Sequence, residues 1–236
     1  MKRLVFGVIF LVLGIGFYVY NIEEILIGEQ VRLAEDRYQD ELQFNEVRAL
    51  VNKANTIEEL DQVLKVVDLD KDKLLPIIGL KRSLLLFNEA EGHLMKAVEI
   101  ENALTDDSKQ NLHPLTVKEL NKAIQLYETA RKEVEQIKEQ KNLTFDYQLN
   151  YLKGEIYFRH LEIMATQETA LEMFNQTVTY YKYALRHKPS DVNTVVNIEI
   201  LIKNQNKLLA DASNPNGKKK TMLNSKKFGV NKSSGN

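Results

Sequence analysis

Alternating aspartates in the segment DLDKDKLLPIIG are the first feature of the sequence that could do chemistry. Asp68, Asp70 and Asp72 have the spacing of the first three ligands in the calcium-binding loop of an EF-hand. That loop also needs a glycine at its sixth position and a bidentate glutamate at its twelfth. The sequence has Lys73 and Gly79 at those two positions. It therefore predicts an acidic turn in solvent and no metal site.

The other residue types that commonly carry catalysis show no matching pattern. Four histidines are scattered along the chain, and none has the four-residue spacing of a zinc-binding helix: His93, His113, His160 and His187. Cysteine is absent, which excludes thiolate metal ligands, disulfides and a cysteine nucleophile. Neither a glycine-rich phosphate loop nor the Gly-x-Ser-x-Gly context of a hydrolase occurs. We therefore expect no catalysis, no cofactor and no small-molecule substrate.

Charge is divided unevenly along a chain whose formal net charge is only −1. Residues 216–236 contain six lysines and no acidic residue. Residues 21–215 carry 24 Lys and Arg against 33 Asp and Glu, a net charge of about −9. Because an acidic body is repelled by phosphates, we expect protein partners and no nucleic acid.

The N-terminus has the pattern of a single membrane anchor. After Lys2 and Arg3, the 17 residues from Leu4 to Tyr20 carry no charge. As a helix they span about 26 Å, the short end of what a bilayer requires. The two leading cations favour a cytoplasmic start, which puts the rest of the chain outside the cytoplasmic membrane. A cleaved signal peptide is the alternative, although the apolar run continues past the small residues 14–16.

Composition predicts an all-α fold. The chain is rich in Leu, Lys, Glu, Gln and Ala, contains only 10 Gly and 4 Pro, and shows no alternation typical of strands. We divide it into four regions: a cytoplasmic start and anchor (1–21), a long amphipathic connecting helix (22–54), a helical domain (55–213) and a disordered Lys-rich tail (214–236).

Capping and turn signals divide the body into helices. Thr56 with Glu59, and Thr116 with Glu119, have the spacing of capping boxes and predict two helix starts. Pro189 is expected to end one helix, with Ser190 or Asp191 capping the next. The predicted helices end near Val67, Leu104, Gln140, Ala165, His187 and Ala212.

Two neighbouring segments carry parts of the tetratricopeptide repeat pattern, in which small residues let paired helices approach and aromatic rings fill the space between them. Gly154 and Tyr157 match the Gly-x-x-Tyr step of the first helix. Tyr181 and Ala184 match the second helix, and Pro189 the turn that follows it.

The match is incomplete. Thr177 stands where the pattern has its first alanine, and the spacing between the paired elements exceeds a regular repeat by about eleven residues. Ala123, Tyr127 and Ala130 form a second, partial trace. The pattern favours a degenerate tetratricopeptide-like array over the alternative of plain antiparallel helices.

The segment ALRHKPSDVNTVVNIEILIK is similar to the ending of a family of membrane-anchored, tetratricopeptide-like bacterial proteins. Members are encoded beside MoxR-type AAA ATPases and von Willebrand factor A domain proteins, and include MxaK-type accessory proteins of methanol oxidation. The matching residues are Ala184, Leu185, Arg186, Pro189, Asn197, Ile198 and Glu199. The resemblance implies a single-pass protein of the bacterial inner membrane with a periplasmic domain. It also implies a non-catalytic scaffold in envelope assembly or maturation, with a von Willebrand factor A or MoxR-type partner.

In a tetratricopeptide-like array the first helix of each pair lines a concave groove. Counting from Gly154 along the pattern places the candidate partner-binding residues at Gln148, Tyr151, Glu155, Phe158 and Arg159. A translocon-associated chaperone for secreted chains is one alternative function, and it predicts a broad apolar groove. A structural helical spacer is another, although no heptad pattern is sustained over three repeats.

Overall fold

The structure, a computed structural model, describes residues 29–39, 41–66, 71–103 and 112–212. Within these ranges the chain is helical and contains no strand, which confirms the predicted all-α class. The predicted anchor, Leu4 to Tyr20, and the Lys-rich tail, 214–236, lie outside the described residues. Among the described residues, no helix combines the length and the apolar character that crossing a bilayer requires.

The chain divides into two units, Met1–Leu50 and Val51–Asn236. In the first, residues 29–39 and 41–50 are helical and mostly exposed, within the region predicted as an amphipathic connecting helix. The second unit begins with helical residues 51–53. Its described helices are α1 (Ile57–Val66), α2 (Lys71–Ala103), α3 (Pro114–Glu135), α4 (Leu143–Ile163), α5 (Ala170–His187) and α6 (Val192–Asp211).

Thr56 caps α1 as predicted, and the reciprocal bond of the predicted capping box goes to Asn55 instead of to Thr56. Thr56 Oγ1 accepts a hydrogen bond from the Glu59 backbone N–H at 3.2 Å. The Glu59 carboxylate in turn accepts from the backbone N–H of Asn55 at 2.7 Å. Because the first N–H groups of a helix have no partner within it, these two bonds fix where α1 begins.

The prediction of a second capping box, at Thr116 and Glu119, is wrong. Helix α3 begins at Pro114, and His113 Nδ1 caps it by accepting from the Leu115 backbone N–H at 3.2 Å. Proline suits this first helical position because it has no N–H to satisfy there and its φ is already helical. Thr116 is fully buried instead, and its hydroxyl donates to Glu101 at 2.9 Å.

Helices α2 and α3 form an antiparallel hairpin. Residues early in α3 contact residues late in α2, since Thr116 bonds Glu101 and Glu119 bonds His93. Farther along α3, Tyr127 reaches back to Glu91. A cluster of fully buried residues lies between the two helices: Ala90, Leu94, Ala97, Leu120, Ala123 and Tyr127.

Helices α4 and α5 form a second antiparallel hairpin, and α6 packs against α5. A core of Leu161, Phe174, Tyr181 and Leu201 joins these three helices. Asp191 is the cap of α6, because its carboxylate accepts from the Thr194 backbone N–H at 2.9 Å and from the Thr194 hydroxyl at 2.6 Å. Of the two residues that the sequence offered for this cap, the structure uses Asp191.

Candidate interaction face on helix α4

Helix α4 carries buried residues along most of its length, and beyond its first turn its partly exposed side chains, apart from Lys153, lie on one side. Its other sides carry a run of buried residues from Phe145 to Ile163. The partly exposed side chains recur every three or four residues, which places them on one face of the helix. We call them the α4 face: Tyr147, Gln148, Tyr151, Glu155, Phe158, Arg159 and Glu162.

All five predicted partner-binding residues lie on this face. Gln148 is the exposed one, while Tyr151, Glu155, Phe158 and Arg159 are half-buried. The spacing from Gly154 therefore found the surface-reaching side of α4. It did not reveal the groups from neighbouring helices that contact this face.

Glu155 lies at the centre of the α4 face, in a polar cluster drawn from three helices. Its carboxylate accepts a hydrogen bond from the Tyr181 hydroxyl at 2.9 Å and one from the Asn197 amide at 2.7 Å. Burial raises the pKa of the Glu155 carboxyl, although the Arg159 charge and the hydroxyls of Tyr181 and Tyr151 oppose that shift. Both of these donors are neutral side chains.

Arg159 connects the two hairpins. Its Nε donates to Glu91 Oε1 at 2.5 Å and its Nη2 to Glu91 Oε2 at 3.3 Å, a two-point contact between α4 and α2. Its Nη1 donates to Glu162 at 2.5 Å. Burial would lower the pKa of this guanidinium, but the Glu162 and Glu91 carboxylates raise it above its ordinary value. A guanidinium stays charged at any ordinary pH, and the bonds to Glu91 and Glu162 hold this one, only 16% exposed, in place on the α4 face.

Aromatic rings cover the end of the α4 face nearest the N-terminus of α4. Tyr147 and Tyr151 stack with centroids 5.9 Å apart, and Tyr151 contacts the buried ring of Tyr181 at 6.0 Å. The ammonium group of Lys188 lies over the Tyr147 ring, 4.9 Å from its centroid. This end of the face thus already receives one cation, through the negative potential of a ring face.

The two hairpins repeat the same set of contacts. In the first, the Phe87 ring contacts Tyr127 at 5.7 Å and the Tyr127 hydroxyl donates to Glu91. In the second, the Tyr151 ring contacts Tyr181 and the Tyr181 hydroxyl donates to Glu155. The sequence positions correspond too, since FNEAE (87–91) and YLKGE (151–155) share the order aromatic, two residues, small residue, glutamate. Sequence analysis missed this correspondence, although the two pentapeptides contain a detectable signal.

The predicted repeat-packing residues lie between α4 and α5. A Cβ atom added to Gly154 would lie 2.5 Å from Cδ1 and Cε1 of Tyr181, so only glycine lets the ring approach so closely. Tyr181 and Ala184 are fully buried, and Tyr157 is nearly so, with its hydroxyl donating to Glu135. Pro189 lies in the turn after α5.

Thr177 fills the position where the pattern has alanine. It is fully buried, and its hydroxyl donates to the Met173 carbonyl at 2.7 Å, so its polar group is satisfied within α5. The long spacing has a simple origin as well. Helices α4 and α5 have 21 and 18 residues, so the helices themselves account for the extra length.

Contacts or burial account for the histidines, and His187 Nε2 lies 3.8 Å from the Glu139 carboxylate. His93 Nδ1 lies 2.6 Å from Glu119, linking α2 to α3, and His113 caps α3. His160 is 8% exposed, and within the described part of the chain its Nδ1 has no hydrogen-bond partner. Burial, and then the nearby charge of Arg131, lower the pKa of His160.

One group of side chains could offer several ligand atoms to a metal ion. Glu139, Asp146 and His187 place one such atom each within 4.8 Å of one another. Both oxygens of Asp146 are already engaged, since they accept from the backbone N–H groups of Gln140 at 2.7 Å and Asn142 at 3.0 Å. These bonds explain Asp146 as the residue that fixes the loop between α3 and α4. Asp68 and Asp70 of the predicted acidic turn lie outside the described residues.

No family model, no curated protein and no solved structure matches this chain.

Proposed function

We propose that this chain is a membrane-anchored, non-catalytic scaffold whose tetratricopeptide-like domain binds a partner protein through the α4 face. The segment from Leu4 to Tyr20 is the anchor, and the helical domain lies on the extracytoplasmic side of a bacterial inner membrane. The proposal rests on the charge and hydropathy of the N-terminus, on the partial repeat pattern and on the packing of the two hairpins.

The observation that carries the proposal is the repetition of contacts between the hairpins. In each, an aromatic residue and a glutamate on the first helix meet a buried tyrosine on the second. Stacked helical hairpins of this kind bury their cores against their neighbours and leave one face of successive first helices available to a partner. In the second hairpin that face is the α4 face.

The chemistry of the α4 face supports binding over catalysis. The Arg159 guanidinium is held by Glu91 and Glu162, and the Glu155 carboxylate accepts from two neighbouring side chains. Side chains fixed in this way are pre-organised, which lowers the entropy lost when a partner docks. Tyrosine and arginine are also the residue types that most often dominate the energetics of protein interfaces.

The partner is a protein of the same envelope system. The resemblance at Ala184, Arg186 and Pro189 favours a von Willebrand factor A domain protein or a MoxR-type ATPase system. A fixed anchor would raise the effective concentration of the domain toward partners at the membrane.

A crosslinked pull-down from membranes tests the proposal, with the full-length chain tagged after Asn236. We expect recovery of one partner in fixed ratio. Recovery of translocon subunits with many unrelated secreted chains would replace the scaffold by the chaperone, and recovery of the chain alone would favour the spacer.

A matched pair of variants ties the result to the α4 face. Gln148→Arg places a bulky charge on the exposed edge of the face, whereas Asn121→Arg makes the same kind of change on the exposed side of α3. We expect partner recovery to fall with the first variant and to stay unchanged with the second. Equal recovery would contradict the assignment of this face.

A separate fractionation tests the anchor. The full-length chain should stay in the membrane pellet after alkaline carbonate extraction, and deletion of residues 4–20 should release it. A chain that the carbonate wash extracts would contradict the anchor.

A further inference from the structure

The corresponding glutamates of the two hairpins differ in what the next helix supplies to them. Glu91 receives the Arg159 guanidinium from α4, at two points. Glu155 receives the Asn197 amide from α6. Each glutamate also accepts from the tyrosine of its own hairpin. The first carboxylate is thus paired with a full positive charge, and the second with a neutral dipole.

The surroundings of Glu155 favour a positive charge. Along the α4 face, the carboxylates of Glu91, Glu155 and Glu162 outnumber the guanidinium of Arg159, and the Lys188 ammonium over Tyr147 is already paired with Asp191 at 3.2 Å. Burial leaves the Glu155 carboxylate poorly solvated, which raises its pKa although the Arg159 charge opposes the shift. A cation placed beside it would compensate for that lost hydration.

The aromatic end of the face adds a second attraction for cations. Tyr147 and Tyr151 stack beside Glu155, and Lys188 shows that an ammonium group fits over the Tyr147 ring. A long basic side chain can place its methylene groups along such rings and its charge at a carboxylate.

We infer that the α4 face takes a lysine or arginine side chain from an extended basic segment of the partner protein, paired with Glu155 and lying against Tyr151. The inference rests on the proposed function and names the chemistry of the partner segment. In this arrangement the partner's cation does for Glu155 what Arg159 does for Glu91.

Fluorescence anisotropy with labelled peptides tests the inference, using the full-length protein in a non-ionic detergent. Three peptides of equal length are compared: alternating lysine and serine, the same peptide with every lysine acetylated, and alternating glutamate and serine. We expect the lysine peptide to bind at least about tenfold more tightly than either of the others, because acetylation removes only the charge.

Three variants locate the binding on the α4 face. Glu155→Gln keeps the acceptor oxygen and removes the charge, and should weaken the lysine peptide about tenfold. Asn197→Lys should block the peptide by supplying an internal cation, as Arg159 does in the first hairpin. Glu99→Gln, at an exposed acid on α2, should leave binding unchanged. Circular dichroism of each variant verifies that the helices are retained.

The outcomes separate this inference from the function on which it rests. If the acetylated or the glutamate peptide binds as tightly, and Gln148→Arg weakens that binding, the α4 face binds partners but does not select cations. If Glu155→Gln and Glu99→Gln weaken binding of the lysine peptide equally, the peptide is attracted by the overall negative charge of the domain. That result would overturn the role of Glu155. If no peptide binds, the inference fails, and the pull-down then decides the proposed function independently.

Discussion

Replacing Gly154 by alanine tests how closely α4 and α5 approach. The new Cβ would lie 2.5 Å from two carbons of the Tyr181 ring, whereas carbon atoms in van der Waals contact are separated by about 3.5–4 Å. Tyr181 is fully buried and its hydroxyl is held by Glu155, so the ring has little room to move away. One of the two helices must therefore shift.

The expected loss of stability follows from two opposing effects. Overpacking of a well-filled core typically costs about 1–3 kcal/mol, and a clash this short with a held ring belongs to the upper part of that range. Alanine is favoured over glycine inside a helix by about 0.5–1 kcal/mol, which offsets part of the cost. The free energy of unfolding should therefore fall by about 1–2 kcal/mol.

Gly92→Ala is the matched control. Gly92 also lies inside a helix, α2, and a Cβ added there meets no atom within 4 Å. Only the helix-propensity gain remains, so this variant should be more stable than wild type by about 0.5–1 kcal/mol. The same substitution is thus expected to act with opposite sign at the two positions.

Urea unfolding of the full-length chain in a non-ionic detergent, followed by far-ultraviolet circular dichroism, measures both effects. Circular dichroism is used because the chain contains no tryptophan whose fluorescence could report unfolding. In a Tyr181→Leu background the cost of Gly154→Ala should shrink or vanish, since the ring that causes it has been removed. The reasoning is refuted if Gly154→Ala stabilises the chain as much as Gly92→Ala does.

Three further predictions concern stability. Tyr127→Phe and Tyr181→Phe should each lower the free energy of unfolding by about 1.5–3 kcal/mol, because each removes a hydrogen bond to a carboxylate; a loss at only one would contradict the equivalence of the hairpins. Burial opposes ionisation of Asp191, but the hydrogen bonds that it accepts lower its pKa to about 2. Wild type should therefore lose stability as the pH falls from about 4 towards 2, and Asp191→Asn should lose less in melting curves over that range. Because burial lowers the pKa of His160, the unfolded chain takes up the proton first, and wild type should lose stability as the pH falls below 6.5. His160→Leu should remove that part of the loss. If the melting temperatures of wild type and His160→Leu fall in parallel as the pH is lowered, the prediction is refuted.

Local sequence signals predicted a helix start correctly where all the groups involved lie within a few residues of each other. The Thr56 cap formed because the groups that it involves lie within four residues of each other. The capping box at Thr116 did not form, because the helix begins earlier, at Pro114. Thr116 is therefore inside the helix, where its buried hydroxyl donates to Glu101. That contact joins different helices, so no local pattern could contain it.

The candidate site was predictable in part. The position of Gly154 in the repeat pattern identified the surface-reaching side of α4, because helical periodicity fixes which residues share a face. It did not identify Glu91 or Asn197, which come from helices far along the chain. Glu91 pairs with the charged Arg159, whereas Glu155 receives the neutral amide of Asn197. This difference is the basis of the inferred cation preference.

By itself, the sequence determined the helical class, the residues that pack α4 against α5, and the face of α4 that reaches the surface. These depend on composition and on spacings within single helices or between neighbouring ones, which short-range sterics and helical periodicity govern. Only the tertiary structure decided which charges meet: Arg159 with Glu91, and Asn197 with Glu155. Electrostatic pairing depends on distance in space and on burial, and both are set by how the hairpins stack.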